Sequence, residues 1–279
     1  MLTREMIMNE LTKRGYQVES SNVVKNGIEL QGIVIGNGNI RPNIYVNDYL
    51  NWTDERLQEA VNNVVYTYEN SNTSVIQFNE EDIRNWDYVK NNLQLCLQKK
   101  GHEYIVKRDF LDLEQYVRVV VSIENDEKGS FKVFPNHLEM WNITEDILFN
   151  AAWDCTRPTL TERDMVHIVA EMMHVDVEEV LLHMGDMPTQ IILGNKEGAH
   201  GAIAMCDTWT LSKIANNYES NLVILPSSIH EVIVIPDESM SLIAYDRMVQ
   251  EVNREQLAPE EVLSNHAYKF DRATMEITW

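Results

Sequence analysis

The stretch LVILPSSIHEVIVI, residues 222–235, decides the fold of the second half of this chain. Two apolar runs, Leu222–Leu225 and Ile229–Ile235, flank Pro226-Ser227-Ser228, and proline and serine are typical turn residues. Short apolar runs on either side of a turn predict the two strands of a β-hairpin. The sequence therefore predicts a sheet whose centre is this hairpin.

The residues around this hairpin predict the rest of a sheet and the helices that cover it. They predict strands at Gln190–Leu193 and Ala202–Met205, a helix that Asp207 caps and that ends near Tyr218, a helix near 239–252 and a strand pair near 266–278. The last third of the chain is thus predicted as a strand–strand–helix–strand–strand unit with helices on one face of the sheet.

The first half has the same mixed character. Its patterns predict helices over 3–14, 53–69, 80–99, 145–156, 161–173 and 176–184, strands over 28–35 and 44–46, and a hairpin over 116–134. The fold class predicted is α+β, with mixed or antiparallel hairpins, helices on one face and, as a further hypothesis, repeated strand–strand–helix units. Two regions are predicted, 1–157 and 158–279, divided at Arg157-Pro158. A single continuous domain is the alternative, because no proline-, glycine- or serine-rich linker divides the chain.

The charge of the chain is strongly negative. It has 44 acidic and 23 basic residues among 279, which gives a formal net charge of −21. Such a surface repels phosphate backbones and anionic lipids, so direct binding to nucleic acid or membrane is not predicted. It suits a basic protein partner, and it also serves solubility alone. A further alternative is that an acidic protein imitates nucleic acid toward a DNA-binding partner.

The cysteines and the apolar runs exclude several classes of protein. Three widely spaced cysteines without a C-x-x-C pattern predict neither a disulfide scaffold nor a zinc ribbon. No run is apolar for long enough to span a membrane, and residues 1–6 lack the pattern of a signal peptide. A cytoplasmic protein without a cofactor is therefore expected, and the sequence gives no oligomeric state.

The most reactive residue types near the central turn are Ser227, Ser228, His230 and Glu231. A hydroxyl, an imidazole and a carboxylate are the parts of an activated serine nucleophile. In a strand, however, His230 and Glu231 point to opposite faces, and the chain has no G-x-S-x-G motif. The competing interpretation is a hairpin turn whose serines bind backbone groups and whose histidine packs on the sheet.

A second group of candidate residues is His167, Glu171 and His174. Their spacing of four and three residues places them on one face of a helix, and imidazole and carboxylate groups are zinc ligands. The order differs from H-E-x-x-H, and the competing interpretation is a solvent-facing polar helix face. The neighbours Met165, Ile168, Val169 and Met172 are expected to be buried.

Two acidic stretches, 161–186 and 237–261, each carry seven acids against one or two arginines. If they lie side by side, they form a negative face that steers a basic partner. The alternative is that they are solvated helix surfaces.

Several motifs of the C-terminal half are similar to those of a known bacterial family. They are Ile224–Ile233 with Pro236-Asp237, Val252-Asn253, Ala258–Ser264, Tyr268, Asp271-Arg272 and, upstream, Gly194-Asn195-Lys196 with Gly201-Ala202. On these residues the chain resembles domain-of-unknown-function family 5688, found in gut-type Gram-positive bacteria and their mobile elements. The resemblance implies a bacterial cytosolic protein of the kind carried on mobile elements, and it supplies no catalytic residue.

These observations favour a non-enzymatic, acidic interaction protein that acts on a basic protein partner, in regulation or defence. The alternative function is a serine hydrolase that uses Ser227 or Ser228 with His230.

Overall fold

The computed structural model describes residues 1–37, 41–70, 80–122, 128–184, 189–226, 228–237 and 241–279. It divides the chain into two compact units, 1–79 with 121–129, and 80–120 with 130–279. The predicted domain boundary near Arg157 falls inside the second of these units, and the two predicted domains stay a prediction.

The first unit is a small antiparallel sheet with two helices. Its elements are α1 (Arg4–Lys13), β1 (Val18–Lys25), β2 (Ile28–Ile35), β3 (Asn43–Tyr45) and α2 (Leu57–Asn70), with strand order β1-β2-β3. Asn26 and Gly27 both have positive φ, as the tight turn between β1 and β2 requires. Ile7 and Leu11 of α1 pack with Ile33 of β2 and with apolar residues of α2 in one core.

The second unit begins with short helices and a four-stranded sheet. These elements are α3 (Glu80–Arg84), α4 (Trp86–Val89), β4 (Leu93–Lys99), β5 (Lys107–Phe110), β6 (Leu113–Ser122) and β7 (Lys128–Lys132). Strand β6 lies at the centre and pairs with β4, β5 and β7. The predicted hairpin over 116–134 is confirmed as β6 and β7.

The predicted helix over 80–99 is wrong in its second half. Residues 93–99 form β4, which pairs with β6 from Leu93 to Lys99. Leu93, Leu95 and Leu97 recur at every second position, and this period of two belongs to a strand.

The rest of the second unit contains a six-stranded sheet and most of the helices. In chain order the elements are α5 (Pro135–Trp141), α6 (Glu145–Thr156), β8 (Leu160–Asp164), α7 (Met165–Met173), α8 (Val177–Met184), β9 (Ile191–Asn195), α9 (Thr208–Asn217), β10 (Leu222–Leu225), β11 (Val232–Pro236), α10 (Leu242–Gln256), β12 (Tyr268–Phe270) and β13 (Ile277–Thr278). The strand order is β13-β12-β10-β11-β9-β8, so the hairpin β10–β11 is central as predicted. Most of its residues are buried, and each of its strands pairs with a neighbour on both sides.

Two elements near this sheet differ from the sequence prediction. The helix predicted from Thr161 is strand β8 over Leu160–Asp164, and α7 starts only at Met165, where Asp164 accepts from the Val166 amide at 2.9 Å. Ala202–Met205, predicted as a strand, lies in a turn of 3₁₀ helix over Gly201–Cys206. An uninterrupted apolar run is buried both as a strand and as a helical turn, so its periodicity does not distinguish the two conformations.

The α+β class with antiparallel hairpins and helices is confirmed, and the repeated units are not. Helix α6 begins where the sequence predicts, since the Thr144 hydroxyl accepts from the Ile147 amide at 3.4 Å and acids follow in the first turn. None of the helices in the described parts of the chain is long and apolar enough to cross a membrane.

Candidate functional site

The turn between β10 and β11 holds the predicted serine and histidine. Ser228 is buried, and its hydroxyl accepts from the backbone amide of His230 at 3.0 Å. This is a local serine turn, in which the hydroxyl satisfies a backbone donor. Ser227 lies outside the described residues. The Ser228 hydroxyl and the His230 imidazole therefore share a turn without a hydrogen bond between the two side chains in the described structure.

The His230 ring has a partner near each of its nitrogens. Nδ1 accepts from the backbone amide of His200 at 3.3 Å, and Nε2 lies 3.5 Å from a carboxylate oxygen of Glu261. An imidazole whose Nδ1 accepts carries its proton on Nε2, which here faces the carboxylate. Glu231 is exposed, so the acid beside the imidazole is Glu261. The catalytic role of Ser227, Ser228, His230 and Glu231 stays a prediction.

Close backbone packing around Gly201 supports this turn. A Cβ added to Gly201 would lie 2.6 Å from the amide nitrogen of Asn195 and 2.6 Å from the carbonyl oxygen of His230. The Asn195 side chain organises the preceding loop, since it accepts from the amide of Glu197 at 3.2 Å and donates to the carbonyl of Ala199 at 2.7 Å. The loop from Asn195 to Gly201 therefore positions the backbone at His230.

The metal-binding role of His167, Glu171 and His174 stays a prediction. His167 and Glu171 are exposed on α7, and Glu171 pairs with Arg163. His174 caps the end of α7 in the left-handed conformation, so it leaves the helix face on which the spacing placed it. Within the described ranges, no group of three or more histidine, cysteine, aspartate or glutamate side chains is placed to hold a metal ion.

A polar cluster that no sequence pattern predicts joins a β-turn to the C-terminal loop. Asp112 follows β5 and accepts from the Tyr268 hydroxyl at 2.7 Å, while its other oxygen lies 2.8 Å from Nε2 of His266. Burial raises the pKa of the Tyr268 hydroxyl well above its usual value. Because residues 112 and 266 are distant in sequence, no local spacing signals their contact.

A second polar cluster lies on the four-stranded sheet. Gln98 donates to Glu114 at 2.7 Å, and Lys107 pairs with Glu114 at 3.0 Å. Lys132 donates to Gln98 at 3.1 Å and pairs with Glu103. Each buried charge has an opposite charge beside it, which is how a folded protein tolerates ions away from water. We interpret this cluster as structural.

The hairpin of α7 and α8 presents an apolar surface. Met172 is 76% exposed and Leu182 is 84% exposed, and Met173 and Leu181 are also exposed. We call these four side chains the hairpin surface. The predicted burial of Met172 is therefore wrong, while Met165, Ile168 and Val169 are only partly buried. Among the described residues of the hairpin, Ala170 and Val180 alone are buried.

A model of a family of unknown function, DUF5688, matches residues 3–272. The chain belongs to the DUF5688 family. The match confirms the resemblance seen in the C-terminal motifs and extends it over both units. Comparisons of this family member with curated proteins and with solved structures gave no match.

The DUF5688 match includes the candidate residues without assigning a role to any of them. The residues that the sequence reasoning missed are Glu261 and His200 beside His230, and the pair Asp112 and His266. Glu261 belongs to one of the family-like motifs, but nothing in that motif indicates which side chain it faces.

Proposed function

We propose that this protein is a binding protein and not an enzyme, and that its hairpin surface docks a basic partner segment with an apolar face. The observation that carries this proposal is the exposure of Met172, Met173, Leu181 and Leu182 on two successive helices. Folded proteins rarely leave large apolar side chains together in water, and such patches mark interaction sites.

The residue types of this surface suit a docking function. Two of the four side chains are methionines, whose unbranched and polarisable chains adapt to differently shaped partners. A helical partner presents apolar residues at three- and four-residue spacing, which is a common way to fill such a surface.

The charges around the surface favour a basic partner. Residues 165–184 contain four acids, Glu171, Asp176, Glu178 and Glu179, and neither lysine nor arginine. The whole chain carries −21, so the field of the protein attracts cations toward this hairpin. A regulatory or defence role on a mobile element is part of the proposal, and it rests on the family resemblance alone.

The alternative of a serine hydrolase gains no support from the geometry at the turn. The Ser228 hydroxyl and His230 Nδ1 both accept from backbone amides, and His230 Nε2 faces Glu261. The imidazole would have to change partners before it could take a proton from a serine.

The test uses a fluorescent lysine–leucine peptide of about 18 residues with leucines at helical spacing. We expect it to bind the protein, and we expect Met172→Ser and Leu182→Ser each to weaken binding about tenfold, because each loses a buried apolar contact. Fluorescence anisotropy measures the affinity. Ile243→Ser is the matched control, since Ile243 is a similarly exposed apolar residue on α10.

Three results would contradict the proposal. The first is equal binding of a scrambled peptide of the same composition. The second is affinity that does not fall between 50 mM and 500 mM salt, as screening requires for an electrostatic contribution. The third is a concentration-dependent dimer in sedimentation that Leu182→Ser abolishes, since the hairpin surface would then bind a second copy of the chain.

A further inference from the structure

A pocket in the second unit lies where the start of α9 meets β8 and β9. Its volume is about 220 Å³. The polar and aromatic residues that line it are Arg157, Thr161, Glu162, Asp207, Trp209 and Thr210. We call it the Trp209 pocket. Neither Ser228 nor His230 lines it, and Thr161 and Glu162 belong to the acidic stretch 161–186.

Two groups in the pocket attract a cation. Trp209 is 64% exposed, so an aromatic face with its negative quadrupole is open to a ligand. The Asp207 carboxylate is only 9% exposed. One of its oxygens, Oδ2, accepts from the Thr210 hydroxyl at 2.9 Å, while no described residue donates to Oδ1. A buried carboxylate with an open oxygen is a strong acceptor for a charged donor.

Arg157 already places one cation beside Trp209 and Asp207. The Arg157 guanidinium lies 5.9 Å from the centre of the Trp209 ring, and its Nε lies 3.7 Å from Asp207 Oδ2. The first distance is near the limit of a cation–π contact, and the second exceeds a hydrogen bond. Arg157 is half exposed and therefore able to move aside, which leaves the inner position between Trp209 and Asp207 open.

We propose that the Trp209 pocket receives one arginine or lysine side chain of the basic partner, with its cationic head on the Trp209 ring and hydrogen-bonded to Asp207. This inference rests on the proposed function, because it specifies how the same partner is anchored. Glu162 in the lining is paired with Lys213 at 2.8 Å, and Asp207 faces Arg157, so displacement of Arg157 leaves the charge of Asp207 for the guest. The guest displaces Arg157 without any covalent step.

The test uses a small probe, Nα-acetyl-arginine amide, and its neutral citrulline counterpart. NMR titration follows the indole N–H signal of Trp209, which the variant Trp209→Phe identifies. We expect the arginine probe to shift this signal and the citrulline probe to bind at least about tenfold more weakly. We expect Trp209→Leu and Asp207→Asn each to weaken arginine binding about tenfold. Trp279→Leu, which changes another exposed tryptophan, is the matched control.

The variant Arg157→Gln tests whether the guest is a cation, because the direction in which the binding affinity changes depends on the charge of the guest. If the guest is a cation, the loss of a competing cation tightens arginine binding about threefold. A guest that is neutral or anionic would instead lose a donor and bind more weakly. Weaker arginine binding in this variant, equal binding of citrulline, or a preference for methyl glucoside or inorganic phosphate would overturn the inference.

The same peptide, probes and variants distinguish a failure of this inference from a failure of the proposed function. If the amphipathic peptide binds the wild type and both pocket variants equally, the pocket is not the anchor, while the hairpin surface stands. If the arginine probe binds the pocket but the peptide is indifferent to Leu182→Ser, the pocket stands and the hairpin surface is overturned. Leu182→Ser is expected to leave arginine binding unchanged.

Discussion

Helices α7 and α9 lie in the same unit and are of similar length, yet the more apolar of the two is the less buried. In α7, seven of nine residues are apolar, and only Ala170 is buried. In α9, four of ten are apolar, and Leu211, Ile214 and Ala215 are all buried. Apolar content alone therefore does not decide which helix belongs to the core. The exposed apolar side chains of α7 are the feature on which the proposed docking function rests.

The largest expected effect is the difference in stability between a variant of a buried leucine and a variant of an exposed one. Leu211→Ala removes a fully buried side chain from α9, so we expect the free energy of unfolding to fall by about 3 kcal/mol. Leu182→Ala on α8 removes an exposed side chain, and we expect a change within about 0.5 kcal/mol. Urea unfolding of both variants measures the difference. Similar losses in the two variants would show that the hairpin is packed after all.

A second prediction extends the comparison to the tightly packed backbone near α9. Gly201→Ala places a Cβ within 2.6 Å of two backbone atoms, so we expect a loss of about 2 kcal/mol in unfolding free energy. Gly101→Ala is the control, since its nearest neighbour would be a carbonyl oxygen at 3.9 Å. Thermal unfolding of the two variants should separate them, and equal midpoints would refute the close contact.

A third prediction uses pH to detect packing on the four-stranded sheet. Burial raises the pKa of the Cys96 thiol to about 12, whereas an unfolded thiol has a pKa of about 8.5. The folded protein thus keeps a proton that the unfolded chain releases, so stability falls as pH rises above the unfolded value. Between pH 8.5 and 9.5 this thiol should account for about 1 kcal/mol of the loss.

Comparison of two variants isolates that contribution. Cys96→Ala should lose less stability than the wild type over this pH interval, because it has no thiol to ionise at this site. Cys155→Ala, which changes a partly exposed thiol, should retain the wild-type pH dependence. Parallel pH profiles for Cys96→Ala and the wild type would mean that Cys96 is accessible to water.

The smallest expected effect is on the polar side of the hairpin. Glu171→Gln breaks the pair with Arg163, and both side chains are largely exposed, so we expect a loss of about 0.5 kcal/mol or less. Chemical denaturation at low and high salt measures it. A loss above about 1.5 kcal/mol would show that the stability of the hairpin depends on this ion pair.

Local sequence patterns predict much of the fold, and the wrong secondary-structure predictions have a common cause. Thr144 starts α6 and the apolar run Leu222–Leu225 is a central strand, because capping and strong hydrophobicity act locally. The sequence pattern predicts helix over 93–99 and 161–164, yet both segments belong to strands, which pair with β6 and β9. Pairing with a distant strand is a tertiary effect, and it overrides local preference.

The candidate site was less predictable than the fold. The sequence located the turn of Ser228 and His230 and placed Glu231 on the opposite face, but no pattern indicated that Glu261 lies beside the imidazole. The acidic character of residues 165–184 was visible, while the exposure of Leu182 was not, because the pattern indicates an apolar face without showing what covers it. The Trp209 pocket assembles Arg157 and Trp209 from separate elements, and no linear motif contains both.

The order of strands in the six-stranded sheet constrains how this protein is made. Strand β10 lies between β11 and β12, so one edge of the central hairpin has no neighbour until residues 268–270 have been synthesised. A ribosome that adds roughly 5–20 residues per second leaves that edge open for seconds on every growing chain. During this interval the apolar strand at 222–225 is open to misplaced pairing, and we expect nascent chains to need chaperone protection there.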